Sequence, residues 1–507
     1  MHAGKARLFC LLIVLVLTSF LTFWHADCYL AGTARHALWF DEGVNLSVSA
    51  NMVRTGTYAL SRPGGETDPF PAGVSTGPTV LLPIAAAFKL FGIGLVQGRI
   101  VTGTYLLLAV LFFFLVTDWL QGWKSAALAC ALFLTGAVAN PLVRGFPYEP
   151  VTHARFVLGE VPGFFFLLLG VWLWGRALAR LPYPHSNCLL FLAGLSWGLA
   201  IQTKMMYALI LVAFVIWNAL DRRVWRTLLF PVIGALLPGL PWLAYQALVL
   251  GPTILLQRNP LGWPNYAPEV AGLTLDLPTL IGRIGGMSSS GIVVFGIPAL
   301  IGALVSVITT PKSPQRSVHG FLLILTIVWA GWFLFSALGR ARHFLPAIFL
   351  LDIFFAKFLL DVGNGLTFPL SQTFKNWRSR EFWTKHARTI TVTLLIVLLL
   401  FNPTRWLFRQ VIRDVEDSPQ QVVSFLQQVG AQPSRVAASE REIDFLWGHP
   451  LHDLIWEGER LPEDIEYVIC GSQAKQHIAC PLPKWTGQTE LVLSVGEYDV
   501  YHIQSVP

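Results

Sequence analysis

The sequence predicts a polytopic α-helical membrane protein that carries a small α/β domain at its C-terminal end. Of the 507 residues, 54% are hydrophobic and only 13% are charged, whereas soluble domains carry about 25% charged residues. The apolar residues come in long, nearly uninterrupted runs. From Asp414 onward the composition changes, and short strand-like patterns replace the apolar runs.

Eight apolar runs mark the main predicted membrane helices. A helix needs about 20 apolar residues to cross the hydrocarbon core of a bilayer. Runs this continuous favour helices over barrel strands, in which apolar and polar residues alternate. With the shorter apolar stretches between them, they predict about eleven transmembrane helices. The runs are Arg7–Trp24, Val101–Leu120, Val157–Trp174, Leu209–Leu220, Leu229–Leu250, Gly291–Thr309, Phe321–Leu338 and Phe344–Leu360.

The charges of the loops predict the orientation of the chain. Cytoplasmic loops carry an excess of Lys and Arg, and this bias places the N-terminus in the cytoplasm. Lys5 and Arg7 stand before the apolar stretch as in a signal peptide, but no small-x-small cleavage motif follows closely, so we expect an uncleaved helix. The C-terminal domain then lies outside the cytoplasm, and we assign the multi-pass chain to the plasma (inner) membrane.

This orientation holds only if the segment Pro78–Gly92 does not cross the membrane. The segment contains Pro78, Pro83 and Lys89, and it is short compared with the run of about 20 apolar residues that a span needs. We therefore expect an interfacial or re-entrant helix at the outer surface.

The division between the two predicted domains falls at the change in composition. Residues 1–413 form the transmembrane module, and residues 414–507 form a small extracytoplasmic α/β domain with 15 acidic and 5 basic residues. Cys470 and Cys480 lie in this domain, and their spacing leaves open whether they are bonded. The predicted strands begin at Arg435, Glu466 and Leu491, and an amphipathic helix covers Gln420–Val429.

Two acidic residues follow the first helix. Asp41 and Glu42 precede the helical pattern of Gly43–Arg54. Acids at a helix start complement the helix dipole, which would give the pair a purely structural role. The alternative is that one of them performs acid–base chemistry at the outer face of the membrane.

A third acid, Glu160, lies at the outer end of a lipid-buried helix. A carboxylate at this depth is costly unless it is partnered or hydrated, so it is a functional candidate by default. A salt bridge with Arg155 is the structural alternative. Asp352 lies inside another predicted helix, where we expect it to pair with a polar neighbour.

Several cations fall on the same predicted side of the membrane. Together they could bind phosphate oxygens, because Arg forms bidentate contacts and Lys supplies a point charge. Snorkelling to the interface would explain Lys204 equally well. The outer cations of interest are Arg155, Lys204, Arg340, Arg342 and His343.

Several motifs in order along the chain resemble the GT-C glycosyltransferases, the broad group that includes the protein O-mannosyltransferases (glycosyltransferase family 39) and the aminoarabinose transferase of lipid A. The resemblance covers most of residues 8–360, and the order of the motifs is more specific than any single one. They are Trp39-Phe40-Asp41-Glu42, Gly77-Pro78-Thr79-Val80-Leu81-Leu82-Pro83, Gly98-Arg99-Ile100, Arg155-Phe156-Val157-Leu158-Gly159-Glu160, Gln202-Thr203-Lys204 and Arg342-His343-Phe344-Leu345-Pro346.

The resemblance implies an inverting transfer of sugar from a polyprenyl-phosphate donor to an acceptor hydroxyl. It makes Asp41 the catalytic base, with Glu42 as the alternate and Glu160 as a second outer acid. Lys204 and Arg342 match positions near the donor phosphate, where His343, Arg340 and Arg155 would assist. Related sequences often carry a basic residue before the proline of the surface segment, and Thr76-Gly77-Pro78 supplies none.

The expected partners are a polyprenyl-phosphate-linked sugar, membrane lipid and a lipid, glycan or protein acceptor. No nucleic-acid partner is expected. No metal site is predicted, although a divalent cation stays open as a cofactor. A lipid-linked glycan transporter or flippase, a non-catalytic membrane assembly protein and a lipid-linked polymerase or ligase are the alternatives. A transporter would place ionisable groups near mid-membrane, whereas an assembly protein would tolerate Asp41→Asn.

Overall fold

The structure is a computed structural model, and it describes residues 2–30, 33–62, 66–71, 74–139, 149–181, 185–221, 225–258, 274–289, 292–309, 311–337, 341–363, 380–457, 461–480 and 489–504. Most of these residues are helical. The strands are short, and the four-stranded sheet belongs to the C-terminal part of the chain.

The helices are α1 (His2–Phe23), α2 (Thr33–Thr55), α3 (Pro78–Phe91), α4 (Leu95–Gln121), α5 (Trp123–Thr135), α6 (Pro150–Arg155), α7 (Glu160–Leu178), α8 (His185–Thr203), α9 (Leu209–Leu220), α10 (Leu229–Leu236), α11 (Gly239–Leu250), α12 (Pro252–Arg258), α13 (Leu277–Ser289), α14 (Ile292–Thr309), α15 (Pro314–Phe335), α16 (Leu345–Gly363), α17 (Arg380–Ile412), α18 (Ser418–Gln428), α19 (Arg441–Trp447), α20 (Leu454–Glu457) and α21 (Ser472–His477). Short 3-10 helices cover Met205–Ala208, Trp225–Thr227, Ala341–Phe344 and Pro433–Arg435. The strands are β1 (Tyr29–Leu30), β2 (Ala59–Ser61), β3 (Thr67–Pro69), β4 (Val415–Glu416), β5 (Val436–Ala438), β6 (Tyr467–Cys470), β7 (Thr489–Val495) and β8 (Tyr498–Ile503).

Within the described residues, six helical stretches are long and apolar enough to cross a membrane, and further apolar helices are shorter. This confirms the predicted class of a polytopic α-helical membrane protein; the number of spans stays a prediction. The six stretches are Gly4–Phe23, Leu95–Gln121, Glu160–Leu178, Leu229–Leu250, Pro314–Phe335 and Thr391–Ile412.

The helices pack aromatic and aliphatic side chains together in the core and leave many other large apolar side chains exposed. In the core, the rings of Phe113 and Phe133 lie 4.8 Å apart, and Phe349 packs edge-on against Phe133 at 4.8 Å. On the outside, Leu248 is 85% exposed and Leu90 is 74% exposed. An extensive apolar surface of this kind is typical of a chain that is solvated by lipid.

The segment Pro78–Gly92 forms a short helix, as predicted. Its 14 helical residues make up α3, which begins after Gly77 and ends before Gly92. Nearby, β2 and β3 form a hairpin. The Tyr58 and Phe70 rings of this hairpin region stack at 5.5 Å, and Trp242 of α11 meets Tyr58 edge-on at 5.0 Å.

The C-terminal part of the chain folds around a mixed sheet in the order β5-β6-β8-β7. The pair β5–β6 is parallel, and the other two pairs are antiparallel. The strands expected near Arg435, Glu466 and Leu491 are confirmed as β5, β6 and β7, whereas β8 was not predicted. Cys470 at the end of β6 forms a disulfide with Cys480.

This C-terminal sheet domain packs closely on α2. A Cβ atom on Gly43 would lie 2.3 Å from the backbone nitrogen of Glu442 and 2.4 Å from the carbonyl carbon of Arg441, so only glycine permits this approach of α2 and α19. Arg54 of α2 also donates to the carbonyl oxygen of Gly448 at 3.1 Å. The segment between α1 and α2 contributes too, because β1 pairs with β4.

Three buried acids lie where α19 meets α2. Burial raises the pKa of Glu442 to about 8, and the neighbouring Glu440 adds to the shift. Burial also raises the pKa of Glu440 to about 7 and that of Asp444 to about 6. The hydroxyl of Tyr498 donates to Glu442 at 2.6 Å. The carboxyls of Glu440 and Glu442 therefore stay protonated in the folded domain at pH values above 4.5, at which they lose their protons in the unfolded chain.

We expect Glu442 to make the stability of this domain fall as pH rises. A carboxyl whose folded pKa is raised stabilises the fold below its unfolded pKa, and that contribution is lost as pH rises to the folded pKa. Relative to Glu442→Gln, the wild-type thermal midpoint should fall by at least about 4 °C between pH 5 and pH 8. The measurement is thermal unfolding of the full-length protein in nanodiscs.

The comparison with Glu442→Gln at each pH cancels the titration of other groups. The control is Glu490→Gln, because Glu490 is an exposed acid on β7. An equal difference in thermal midpoint between the wild type and Glu442→Gln at both pH values would show that the carboxyl titrates normally.

Candidate active site

Asp41 and Glu42 lie inside α2 rather than at its start. The expectation that this pair opens a helix is wrong, because α2 begins at Thr33 and runs to Thr55. The effect of the helix dipole falls off within the first turn, and Asp41 lies about two turns beyond Thr33. The dipole therefore gives no account of the two acids, and their side-chain contacts must explain them.

Glu42 forms a fully buried ion pair with Arg99 of α4. The two carboxylate oxygens accept hydrogen bonds from Arg99 Nε and Nη2 at 2.8 and 2.7 Å, and the side chains are 0% and 2% exposed. Burial raises the pKa of Glu42, and the adjacent Arg99 guanidinium limits the rise. Both oxygens are occupied by this partner, so the geometry makes Glu42 part of the frame that joins α2 to α4.

Asp41 forms an ion pair with Arg342, which lies in the 3-10 helix just before α16. The Arg342 Nη1 group donates to Asp41 Oδ2. The Asp41 side chain is 24% exposed and that of Arg342 is 9% exposed. Asp41 is thus the more accessible member of the acidic pair, and it is held by a cation from a distant part of the chain.

Glu160 and Lys204 form a second buried ion pair. Lys204 Nζ donates to Glu160 Oε1 at 2.7 Å, and the two side chains are 1% and 0% exposed. Glu160 is the first residue of α7, and Lys204 stands between α8 and the 3-10 helix that follows it. The hydroxyl of Tyr207 donates to the carbonyl oxygen of Glu160 at 2.5 Å. The turn after α8 is therefore fixed to the start of α7 by two contacts.

The two ion pairs belong to one site. The Glu160 carboxylate is within electrostatic range of Arg342, the partner of Asp41, and of His153 on α6. Segments that are far apart in the sequence, from α2, α7, the end of α8 and the turn before α16, therefore meet around two carboxylates and two cations. This arrangement has the groups needed to accept a proton and to hold an anion.

The remaining predicted site residues take other positions. Arg155 does not pair with Glu160, because its Nη2 group donates to the carbonyl oxygen of His25 at 2.7 Å and Glu160 is held by Lys204. His343 is 2% exposed, and its carbonyl oxygen accepts from the Trp329 indole at 2.8 Å. Arg340 lies outside the described residues.

The expected hydrogen bond between Asp352 and a polar neighbour is absent among the described residues. Asp352 is 1% exposed on α16, and neither carboxylate oxygen has a hydrogen-bond partner among the described residues.

Gly77 fixes the position of the turn that carries Lys204. The amide of Gly77 donates to the carbonyl oxygen of Thr203 at 2.8 Å, and the hydroxyls of Thr79 and Thr203 are 2.6 Å apart. A Cβ atom on Gly77 would lie 1.9 Å from the carbonyl oxygen of Gln202. The position before Pro78 therefore serves close packing of α3 on α8, which explains why it holds glycine and no cation.

Arg99 and His153 were not among the predicted site residues, although both lie near its acids. Arg99 lies within an apolar helical stretch, and a charge in such a stretch signals a buried partner. That signal was present in the motif Gly98-Arg99-Ile100, although the sequence could not identify Glu42 as the partner. His153 lies on α6, whereas Glu160 begins α7, and no local sequence pattern places the imidazole near the carboxylate.

The acids Asp41 and Glu160 are each engaged by a cation in the described structure. Among the described residues, one group of three side chains has metal-binding geometry: His25, Asp27 and Cys28. This group directly follows the C-terminal end of α1.

Comparisons with known proteins give structural relatives alone. No protein-family model and no curated protein sequence matches the chain. The structure of ArnT, an aminoarabinose transferase from Cupriavidus metallidurans, bound to undecaprenyl phosphate aligns with a TM-score of 0.58 and 14% identity, over 99% of this chain and 98% of that one. The archaeal oligosaccharyltransferase AglB from Archaeoglobus fulgidus, in complex with an inhibitory peptide and a dolichol-phosphate, aligns with a TM-score of 0.56 and 13% identity, over 93% and 70% of the two chains.

Both relatives are members of the GT-C superfamily. The alignment with ArnT covers nearly all of both chains, so this chain has the GT-C fold, as the sequence motifs suggested. Identities of 13–14% establish the fold alone.

We expect Gly77→Ala to destabilise the site. The new methyl group would meet a backbone carbonyl that cannot rotate away, and overpacking of this kind costs about 1–3 kcal/mol. The thermal midpoint of the purified protein should fall. The control is Gly331→Ala on α15, where a Cβ atom meets nothing within 4 Å and where alanine favours the helix. Equal midpoints for the two variants would contradict the close contact of Gly77 with Gln202.

Proposed function

We propose that the chain is a glycosyltransferase that moves a sugar from a polyprenyl-phosphate donor to an acceptor hydroxyl, with inversion, at the outer face of the membrane. The observation that carries this proposal is the pairing of Asp41 with Arg342 beside the pair of Glu160 and Lys204, within a GT-C fold. A carboxylate base and nearby phosphate-binding cations are the groups that such a transfer requires.

Asp41 is the proposed base. A general base must reach the acceptor hydroxyl, and Asp41 is 24% exposed, whereas Glu160 and Glu42 are 0% exposed. Glu42 is further engaged by Arg99 through both oxygens. In the proposed inverting step, Asp41 takes the proton of the acceptor hydroxyl as its oxygen attacks the sugar. The bond from the sugar to the phosphate breaks on the opposite face, and the carrier phosphate leaves with its electrons.

Arg342 and Lys204 are the proposed phosphate ligands. The leaving phosphate gains negative charge as the bond to the sugar breaks, and nearby cations stabilise that charge. Each cation is held by a carboxylate in the described structure. We propose that a donor phosphate draws Arg342 away from Asp41 and so frees the base. Binding of the donor would then prepare the site for the acceptor.

The relatives support a lipid-phosphate donor. ArnT was captured with undecaprenyl phosphate, and AglB with a dolichol-phosphate and a peptide. We propose a polyprenyl-phosphate sugar as the donor of this chain as well. The proposed acceptor is a lipid, a glycan or a protein. A panel of polyprenyl-phosphate sugars would identify the transferred sugar as a hexose or a pentose.

The proposed location is the plasma (inner) membrane, with the site and the C-terminal domain on the extracytoplasmic side. The loop charges support this orientation. The disulfide between Cys470 and Cys480 supports it independently, because disulfides persist in oxidising compartments.

A lipid-linked glycan transporter or flippase is the second candidate. It is favoured by Asp352, an acid that is 1% exposed within α16 and has no hydrogen-bond partner among the described residues. Ionisable residues inside membrane helices often mark transport paths. Such a protein would move the lipid-linked sugar across the bilayer without releasing the free carrier phosphate.

We expect Asp41→Asn to abolish sugar transfer in a folded protein. The amide cannot accept the proton, and loss of a general base lowers rates by about 100-fold to 10,000-fold. The measurement uses purified protein, a panel of polyprenyl-phosphate sugars and extracted membrane acceptors, and it scores release of the free carrier phosphate.

Glu66→Gln is the control for Asp41→Asn, because Glu66 is an exposed acid of the same outer segment. Transfer by Asp41→Asn at the wild-type rate would remove the assignment of the base. Transport of the donor without any phosphate release would support the flippase instead.

We expect Arg342→Gln to weaken binding of the free carrier phosphate, the product of the proposed reaction. Hydrogen bonds to charged groups contribute about 1.5–3 kcal/mol, which corresponds to a loss of affinity of roughly 10-fold to 100-fold. The measurement is calorimetric titration of polyprenyl phosphate in detergent micelles. Lys312→Gln, at an exposed lysine, should bind as the wild type does, and equal affinities for all three proteins would exclude Arg342 as a phosphate ligand.

A further inference from the structure

The chain bends sharply at the outer end of α1 and brings three different metal-binding side chains together. The ligand atoms of His25, Asp27 and Cys28 all lie within 4.8 Å of one another. His25 and Asp27 are exposed, and Cys28 is half-buried. His25 adopts a left-handed backbone conformation with φ of 52°, which is uncommon for a residue other than glycine.

Two arginine side chains, Arg155 and Arg99, hold the backbone of this bend. Arg155 donates to the carbonyl oxygen of His25 at 2.7 Å. Arg99 donates through Nη1 to the carbonyl oxygens of Ala26 and Cys28 at 3.0 and 2.6 Å. Because these contacts use carbonyl groups, they fix the bend without occupying the imidazole, carboxylate or thiol. The three side chains are therefore presented together from a rigid loop.

The donor set fits a borderline transition metal such as zinc. Zinc binds thiolate sulfur at about 2.3 Å, imidazole nitrogen at about 2.0–2.1 Å and carboxylate oxygen at about 2.0–2.2 Å, in a tetrahedral arrangement. The ligand atoms of such a site lie about 3.5 Å apart. A spread of 4.8 Å is closed by small rotations of exposed side chains. Calcium and magnesium prefer oxygen ligands, so the thiol and imidazole argue against them.

The bend adjoins the start of the C-terminal domain. Strand β1, directly after Cys28, pairs with β4, and Gln420 of α18 donates to the carbonyl oxygen of Asp27 at 3.2 Å. Asp417 directly follows Glu416, the strand partner of Tyr29, so Cys28 and Asp417 adjoin the same strand pair. The exposed Asp417 carboxylate accepts a hydrogen bond from Gln421 of α18 at 2.8 Å, and its rotation away from Gln421 would offer a fourth ligand from the C-terminal domain.

We propose that His25, Asp27 and Cys28 bind a divalent transition metal of the zinc type, and that Asp417 completes the site. The metal would join the outer end of α1 to the C-terminal domain. The site is separate from the proposed sugar transfer and stands without it. On binding, the Cys28 thiol releases a proton and its sulfur forms the bond to the metal.

The charges near the bend are compatible with a bound cation. Arg99 is the nearest guanidinium to the Cys28 backbone, but its charge is balanced by Glu42. Arg155 contributes a second positive charge. With the thiolate, Asp27 and Asp417, the proposed ligands carry three negative charges, which exceed the charge of a divalent ion and offset that of Arg155.

The test uses Co²⁺ as a spectroscopic probe of the full-length protein, purified without a polyhistidine tag and freed of metal by a chelator. We expect one equivalent of Co²⁺ to bind, with a sulfur-to-metal charge-transfer band that Zn²⁺ abolishes by displacement. The band should be lost in Cys28→Ser, and the affinity for Zn²⁺ should fall at least tenfold in His25→Ala and Asp417→Asn, on the scale of metal-site substitutions.

Cys188→Ser is the matched control, because Cys188 is an exposed free cysteine; it should leave the band unchanged. X-ray absorption of the Zn²⁺-loaded wild type should show one sulfur ligand, which tests the site even if a variant misfolds. No saturable binding, or binding that His25→Ala and Cys28→Ser leave intact, would overturn the proposal. Unchanged Zn²⁺ affinity in Asp417→Asn would exclude the C-terminal domain from the site.

Discussion

The ion pair between Asp41 and Arg342 is the contact on which the site depends. It joins α2, near the start of the chain, to the turn before α16, 301 residues later. Charges at the edge of a lipid-solvated fold are costly unless they are partnered. Each acid of the site therefore needs a cation, and each cation comes from a distant segment. The charges of the site can therefore be paired only when these distant helices pack together.

The three acid–cation pairs differ in burial and in the helices that they join. Glu42 and Arg99 are fully buried and bidentate, so they hold α2 against α4 as a fixed frame. Glu160 and Lys204 are equally buried but lie beside Arg342. Asp41 alone keeps a side chain that is 24% exposed. Close packing supports this arrangement at two glycines. Gly77 packs against the turn that carries Lys204, and Gly43 packs against the C-terminal domain.

The sequence was sufficient for the fold class and for singling out Asp41, Glu160, Lys204 and Arg342, although not Arg99, because apolar runs and intramembrane charges are local signals. It could not pair the charges, since the partners of Asp41 and Glu42 depend on how helices pack. The expected salt bridge between Glu160 and Arg155 illustrates this limit. Arg155 is close to Glu160 in sequence, but the partner is Lys204, which lies in the turn after α8. The start of α2 at Thr33 was also missed, as helix boundaries are weakly encoded.

The contact between Asp41 and Arg342 can be tested by a double-mutant cycle. Asp41→Asn, Arg342→Gln and the double variant would be compared with the wild type by thermal unfolding in one nanodisc preparation. Contacting residues show interaction energies of about 0.5–3 kcal/mol, whereas separated residues are additive. We predict that the double variant loses less stability than the sum of the two single variants. Strictly additive losses would contradict a site assembled around this pair.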